Sequence, residues 1–160
     1  KKQLYTTEQR ERRDATIWTT VQAILAPVQF AVFLVSVYFI GRFLVTGAGY
    51  EEAAVSVIVK TGVLLTIMIT GAVWEKIVFG QYLLAPAFFW EDVVSFFVIA
   101  FHLAYVFFLV TGLFSNQTQI IIAIIAYFLY LVNALQFIIK FRLSKIPSDL
   151  LSESEKEIVA

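Results

Sequence analysis

Four stretches of this 160-residue chain are apolar for long enough to cross a bilayer, which takes roughly 20 mainly apolar residues in a helix. The pattern predicts helices over 17–45, 53–79, 88–113 and 117–141. Gly47-Ala48-Gly49 breaks the chain after the first, Gly80 to Pro86 separates the second from the third, and Ser115-Asn116 makes a tight turn before the fourth. Pro86 suits the first turn of a helix, where its missing N–H is no loss. Pro27 lies inside the first segment and should kink it. That segment is too long for a signal-peptide core and is expected to persist as a helix. The predicted architecture is an all-α integral membrane protein, a four-transmembrane-helix bundle over 17–143, with an N-terminal tail over 1–16 and an acidic C-terminal tail over 144–160. No internal repeat is visible.

Composition agrees with a bilayer. Hydrophobic residues make up 60% and charged residues only 15%, unlike an ordinary soluble domain. The absence of cysteine excludes disulfides, thiolate metal sites and a cysteine nucleophile. A net charge of zero provides no field for nucleic acid. The positions of the cations are more informative than their sum. Lys1, Lys2, Arg10, Arg12 and Arg13 precede the first span, Lys140, Arg142, Lys145 and Lys156 lie at or after the end of the fourth, and Lys76 borders the middle loop. The positive-inside rule therefore puts both termini and the middle loop in the cytoplasm. Arg42 is the exception, near enough to the far end of its helix to snorkel outward.

With that topology, scattered polar residues fall at one depth. Gln22 and Gln29 come from the first helix, Glu75 from the second, Glu91, Asp92 and Ser95 from the third, and Asn133 and Gln136 from the fourth, with Lys140 extending the last stripe. Polar groups in hydrocarbon are costly unless they face the bundle interior, so these should surround a polar pocket. Plainer roles exist for each. Glutamine and asparagine can hold helices together, Glu91 and Asp92 can serve a helix N-terminus, and Lys76 can pair with Glu75. Trp74 and Trp90 can sit in the interfacial aromatic belt. The convergence of three acids and four amides at one depth exceeds what capping and anchoring require.

His102, the single histidine, lies about 20° around an ideal helix from Glu91 and roughly 16 Å further along it. One histidine does not make a protein metal site, though its imidazole can be an axial ligand to a metal carried by a tetrapyrrole. A hydrogen bond to a neighbouring helix, with Tyr105 nearby, explains it equally well. Lys60 can snorkel, pair with acids of the far loop, or hold a substrate carboxylate.

These residues resemble the 3-vinyl (bacterio)chlorophyllide hydratases, also called 2-vinyl bacteriochlorophyllide hydratases. The resemblance runs through Tyr5-Thr6, Glu8-Gln9-Arg10, Arg12-Arg13-Asp14, Leu25-Ala26-Pro27-Val28-Gln29-Phe30 and Thr70-Gly71 with Trp74-Glu75-Lys76. It is strongest in Ala85-Pro86-Ala87-Phe88-Phe89-Trp90-Glu91-Asp92-Val93, and continues through His102, Ala104-Tyr105, Asn133-Ala134 and Gln136-Phe137 to about Arg142.

The resemblance implies addition of water across the C3 vinyl group of a chlorophyllide or bacteriochlorophyllide, giving a 1-hydroxyethyl group, in a bacterial cytoplasmic or intracytoplasmic membrane. Such chemistry needs a proton for the terminal vinyl carbon and a positioned water for the carbon next to the ring. Carboxyl groups in a low-dielectric pocket can divide those tasks. Glu75 and Glu91 are the expected pair, with Asp92 as the alternate for either. Gln29, Asn133 and Gln136 are expected to hold water or the macrocycle's carbonyls. Trp74, Phe88, Phe89, Trp90 and Tyr105 would form walls for a flat ring, and Lys76 or Lys140 would bind its propionate. No cofactor is expected beyond magnesium carried by the substrate, for which His102 is a possible ligand. Partners are the tetrapyrrole, water and lipid, together with a second copy or pathway enzymes. Two other readings compete: a noncatalytic tetrapyrrole-binding or assembly protein using His102, and a proton-linked transporter built on Lys60 and Glu75. The transporter lacks a discontinuous helix pair or pseudo-repeat.

Overall fold

A computed structural model describes residues 4–145 as five helices: α1 (Thr7–Ala15), α2 (Ile17–Thr46), α3 (Tyr50–Phe79), α4 (Phe89–Thr111) and α5 (Asn116–Lys145). No strand occurs among the described residues. Helices α2 to α5 are each long and apolar enough to span a membrane. Lys1, Lys2, Lys156 and the C-terminal tail from 146 lie outside the described residues.

The boundaries differ from expectation where end effects decide. Helix α3 begins at Tyr50, so Glu51 and Glu52 occupy its first turn and not a loop; acids there are favoured by the helix dipole. Pro86 precedes α4 in a tight turn closed by Phe88 N–H on Ala85 O at 2.8 Å. Helix α2 continues through Pro27.

Close backbone packing runs within two hairpins, α2–α3 and α4–α5. Side chains bridge the seam between them: Phe33 of α2 packs on Tyr127 and Tyr130 of α5, Ser36 Oγ meets Tyr127 Oη at 2.5 Å, and Tyr50 Oη donates to Gln119 Oε1. The outer faces carry exposed Val35, Tyr38, Ile69, Phe97, Phe107 and Phe128, as lipid-facing surfaces should.

Helix α1 is an element that the hydrophobic pattern did not announce, since it buries no residue of its own. Local chemistry makes it helical. Thr6 Oγ1 accepts from Gln9 N–H at 3.2 Å and Gln9 Oε1 accepts from Thr6 N–H at 2.9 Å, a reciprocal capping box. Arg12 Nη1 then donates to Val78 O at 3.4 Å, docking α1 against the end of α3.

Candidate active site

The turn between α3 and α4 brings the acids together. Gly80, at φ 88°, ends α3 in the left-handed conformation that glycine adopts freely. Leu84 takes φ 60°, a conformation costing a bulky residue roughly 1–3 kcal/mol. Two carboxyl groups hold the strained segment from inside. Asp92 Oδ2 accepts from Leu84 N–H at 2.6 Å, and Glu75 Oε2 accepts from Ala85 N–H at 3.3 Å. Glu75 and Asp92 also lie within side-chain hydrogen-bonding reach of each other. Their exposures are 4% and 2%, so bulk water is excluded from both. A hydrogen bond between two carboxyl groups needs one proton in the pair. With one proton held between them, such a pair supplies a proton donor and an acceptor side by side.

Glu91 has a different environment. Lys140 Nζ lies 3.0 Å from both of its carboxylate oxygens, joining α4 to α5. The Glu91 backbone carbonyl accepts from Asn133 Nδ2 at 2.8 Å, and Ser95 Oγ lies 2.8 Å from that carbonyl and 3.0 Å from Asn133 Oδ1. Glu91 is an electrostatic neighbour of both Glu75 and Asp92. The structure therefore gathers all three acids, with Asp92 as the direct partner of Glu75 and Glu91 matched to Lys140.

An aromatic cluster closes this end of the bundle. Phe88, fully buried, packs against Trp74, Phe79, Phe137, Phe141 and Tyr5. Trp74 does more than anchor: its Nε1 donates to Thr19 Oγ1 at 2.9 Å, and that hydroxyl donates to Arg13 O at 2.5 Å. Tyr5 is 2% exposed, stacks on Phe79 beneath the Arg13 guanidinium, and counts Glu75 among its charged neighbours. Its hydroxyl is enclosed beside the Arg13 guanidinium, and burial pushes its pKa up to about 12 against the lowering effect of that cation. Sequence reasoning assigned Tyr5 no role at the site; a lone aromatic in an otherwise polar segment was the available signal.

The other expected residues divide. Asn133 joins the Glu91 network, and Gln136 touches its edge through a 3.5 Å contact with Asn133. Gln29 is buried on α2 but hydrogen-bonded to none of the acids, whereas Gln22 donates to Thr70 Oγ1 at 2.7 Å. Phe89 and Trp90 stand on the outer face, 41% and 68% exposed, packed edge-to-face on each other. Lys76 is exposed and donates to Gly80 O at 2.8 Å. His102 and Tyr105 are fully buried farther along α4, away from the acids. No group of three histidine, aspartate or glutamate side chains is arranged to hold a metal among the described residues.

Fold and site together define a polytopic, all-helical membrane protein with an enclosed carboxyl pair at one end of its bundle. The family profile described as 2-vinyl bacteriochlorophyllide hydratase matches residues 5–143, and the chain belongs to that family. Two curated relatives carry the same name. The one from Rhodobacter capsulatus is 59% identical over 148 residues, covering 92% of this chain and 86% of its own. The one from Cereibacter sphaeroides is 56% identical over 148 residues, covering 92% of each chain. No solved structure matches.

Proposed function

We infer that this protein hydrates the vinyl group of a bacteriochlorophyllide-type macrocycle, with Glu75 and Asp92 as the acid–base pair. The hydratase activity follows from family membership and from two relatives of that name over most of the chain. The assignment of residues rests on one observation: two enclosed carboxyl groups within hydrogen-bonding reach of each other. One delivers its proton to the terminal vinyl carbon, leaving a cation on the inner carbon that the macrocycle delocalises. Water attacks that carbon, and its surplus proton passes to the other carboxylate. One carboxyl has lost a proton and its neighbour has gained one, so a transfer across their hydrogen bond resets the pair. Water addition has no redox balance to meet, and this reading calls for no redox cofactor.

Glu91 and Lys140 fit a supporting task. Lys140, 27% exposed in its side chain, is placed to exchange Glu91 for the substrate propionate. The negative charge thereby released lies beside the developing cation. A macrocycle whose metal sat on His102 would hold its vinyl group within a ring radius of that nitrogen, well short of Glu91 about 16 Å away along α4. His102 therefore has no axial role in the reactive pose.

The distribution of charge supports a cytoplasmic location for the site in a bacterial membrane, since Arg10, Arg12, Arg13, Lys76, Lys140 and Arg142 gather at this end and Arg42 lies at the other. Purified protein incubated with a vinyl bacteriochlorophyllide should yield the 1-hydroxyethyl product on chromatography. Glu75→Gln and Asp92→Asn should each slow kcat roughly 100- to 10,000-fold. Full turnover in both variants would refute the assignment of the pair. Tight binding without any product from wild type would favour the pigment-binding reading.

A further inference from the structure

The carboxyl pair is shut away from any macrocycle. Glu75 and Asp92 are 4% and 2% exposed, and Val78 one turn after Glu75, Phe88 one turn before Asp92, and Ala85 between them are fully buried. A hydratase must nevertheless bring a vinyl carbon up to its acid, since proton transfer needs hydrogen-bonding range. Some part of the enclosure therefore moves. Its walls are unequal. On the side of α1 and α5 stands a stack of aromatic rings, with Phe88 against Trp74, Phe79, Phe137 and Phe141. On the side of the α3–α4 loop the cover is a single thickness of chain. The Leu84 and Ala85 amides donate inward to Asp92 Oδ2 and Glu75 Oε2, while Gln81, Tyr82, Leu84 and Pro86 are exposed.

That loop has the means to move. Gly80, at φ 88°, gives it a permissive hinge at one end, and Pro86 bounds it at the other with a fixed φ. Between them Leu84 sits at φ 60°, where a Cβ is disfavoured, so the closed loop is held against backbone strain by its two bonds to carboxyl groups. Gln81 Nε2 donates to Leu83 O within the segment, a contact that travels with it. Releasing the two amides lets Leu84 relax and uncovers the pair. Tyr82 and Leu84 on the loop, with Phe89 and Trp90 at the start of α4, are exposed and give the opening an apolar rim suited to a flat guest arriving from lipid.

We propose that segment 81–85 is the substrate gate of this site, latched shut by the acid–base pair itself. The macrocycle enters beside Trp90, displaces the Leu84 and Ala85 amides from Asp92 and Glu75, and takes the place of the loop over the two carboxyl groups. The proposal rests on the hydratase reading and its Glu75–Asp92 assignment. In the empty enzyme the same latch keeps bulk water off the pair. A latched gate also has a kinetic consequence. Substrate binds only the open fraction of molecules, so a change that favours the closed loop raises KM and leaves the chemical step alone.

The experiment uses the full chain in nanodiscs and compares Leu84→Gly with Leu84→Ala. Both shorten the exposed side chain, but only glycine adopts φ 60° without cost and so favours the closed loop. KM for a vinyl bacteriochlorophyllide should be about 3- to 10-fold higher in Leu84→Gly than in Leu84→Ala, at equal kcat. Hydrogen exchange read by mass spectrometry without substrate should show peptide 81–88 more protected in Leu84→Gly by the same factor. Adding the 1-hydroxyethyl product to wild type should lower protection in that peptide while the adjoining turns of α3 and α4 gain it. A turn with no gating role would also exchange more slowly in Leu84→Gly, but KM would match that of Leu84→Ala and product would not deprotect the loop; either result overturns the proposal. Wild-type turnover alongside such a result defeats the gate and spares the carboxyl pair. Product-induced deprotection together with full activity of Glu75→Gln and Asp92→Asn does the reverse, since the exchange measurements do not depend on which groups carry the proton.

Discussion

Lys140 illustrates how much one side chain can control at this site. It lies 3.0 Å from both oxygens of Glu91, itself 8% exposed in its side chain. Lys140→Met strands an enclosed carboxylate, the kind of change that is costly when the survivor has no way back to water. Lys140 is about one quarter exposed, so solvent softens the penalty to about 1–2 kcal/mol. A lower Tm is expected, and Glu91→Gln in the same background should restore most of it. If the double variant melts no higher than Lys140→Met alone, the pair is not what holds α4 to α5 here. The same residues show where sequence reading stops. The depth of Glu75, Glu91 and Asp92 was legible from hydropathy, but which two of them meet depends on Leu84 at φ 60° and on the direction in which the loop presents its amides. No periodicity encodes that, so sequence alone left Asp92 as the alternate for either glutamate, and the proposed pairing of Glu75 with Asp92 had to wait for the loop geometry.

Among the elements, the spans and the polar segment preceding them were not equally visible. Helices α2 to α5 follow from long apolar runs and glycine breaks, and their ends shift by only a few residues at capping positions. Helix α1 has no apolar face to announce it, and its docking depends on Arg12 reaching Val78 O and on Tyr5 entering an aromatic cluster assembled from three other elements. That docking should be sensitive to alkali. The Tyr5 hydroxyl is raised by burial from 10.0 to about 12, so between those values the folded segment keeps a proton that the undocked one loses. Bound protons then favour the folded side, and docking weakens as pH climbs from 10 towards 12, by about 2–3 kcal/mol in the limit. Trypsin cleavage near Arg10 to Arg13 should accelerate across that window in wild type. In Tyr5→Phe the acceleration should be absent; an equal rise in both would locate the alkaline effect elsewhere.

For the whole molecule, the gathering of charge at one end makes a prediction about sidedness. Arg12, Arg13, Lys76 and Lys140 surround the carboxyl site, whereas the opposite end presents Arg42 beside Gly49 and Glu52. Each lysine or arginine near a span biases it towards the cytoplasm, and the effects accumulate over short loops such as these. A cytoplasmic site also suits the chemistry, because a planar, poorly soluble substrate can enter sideways from the bilayer while water arrives from the aqueous side. The chain has no cysteine, so single reporters can be placed on an otherwise unreactive background. Ala48→Cys and Asn116→Cys occupy exposed positions at the far ends of the hairpins, and Gln81→Cys an exposed position in the site loop. In intact cells whose outer membrane has been permeabilised, a membrane-impermeant maleimide should label the first two and spare the third until the inner membrane is opened. Labelling of Gln81→Cys in closed cells would invert the protein, put the carboxyl pair on the other face of the membrane, and require its water and substrate to come from there.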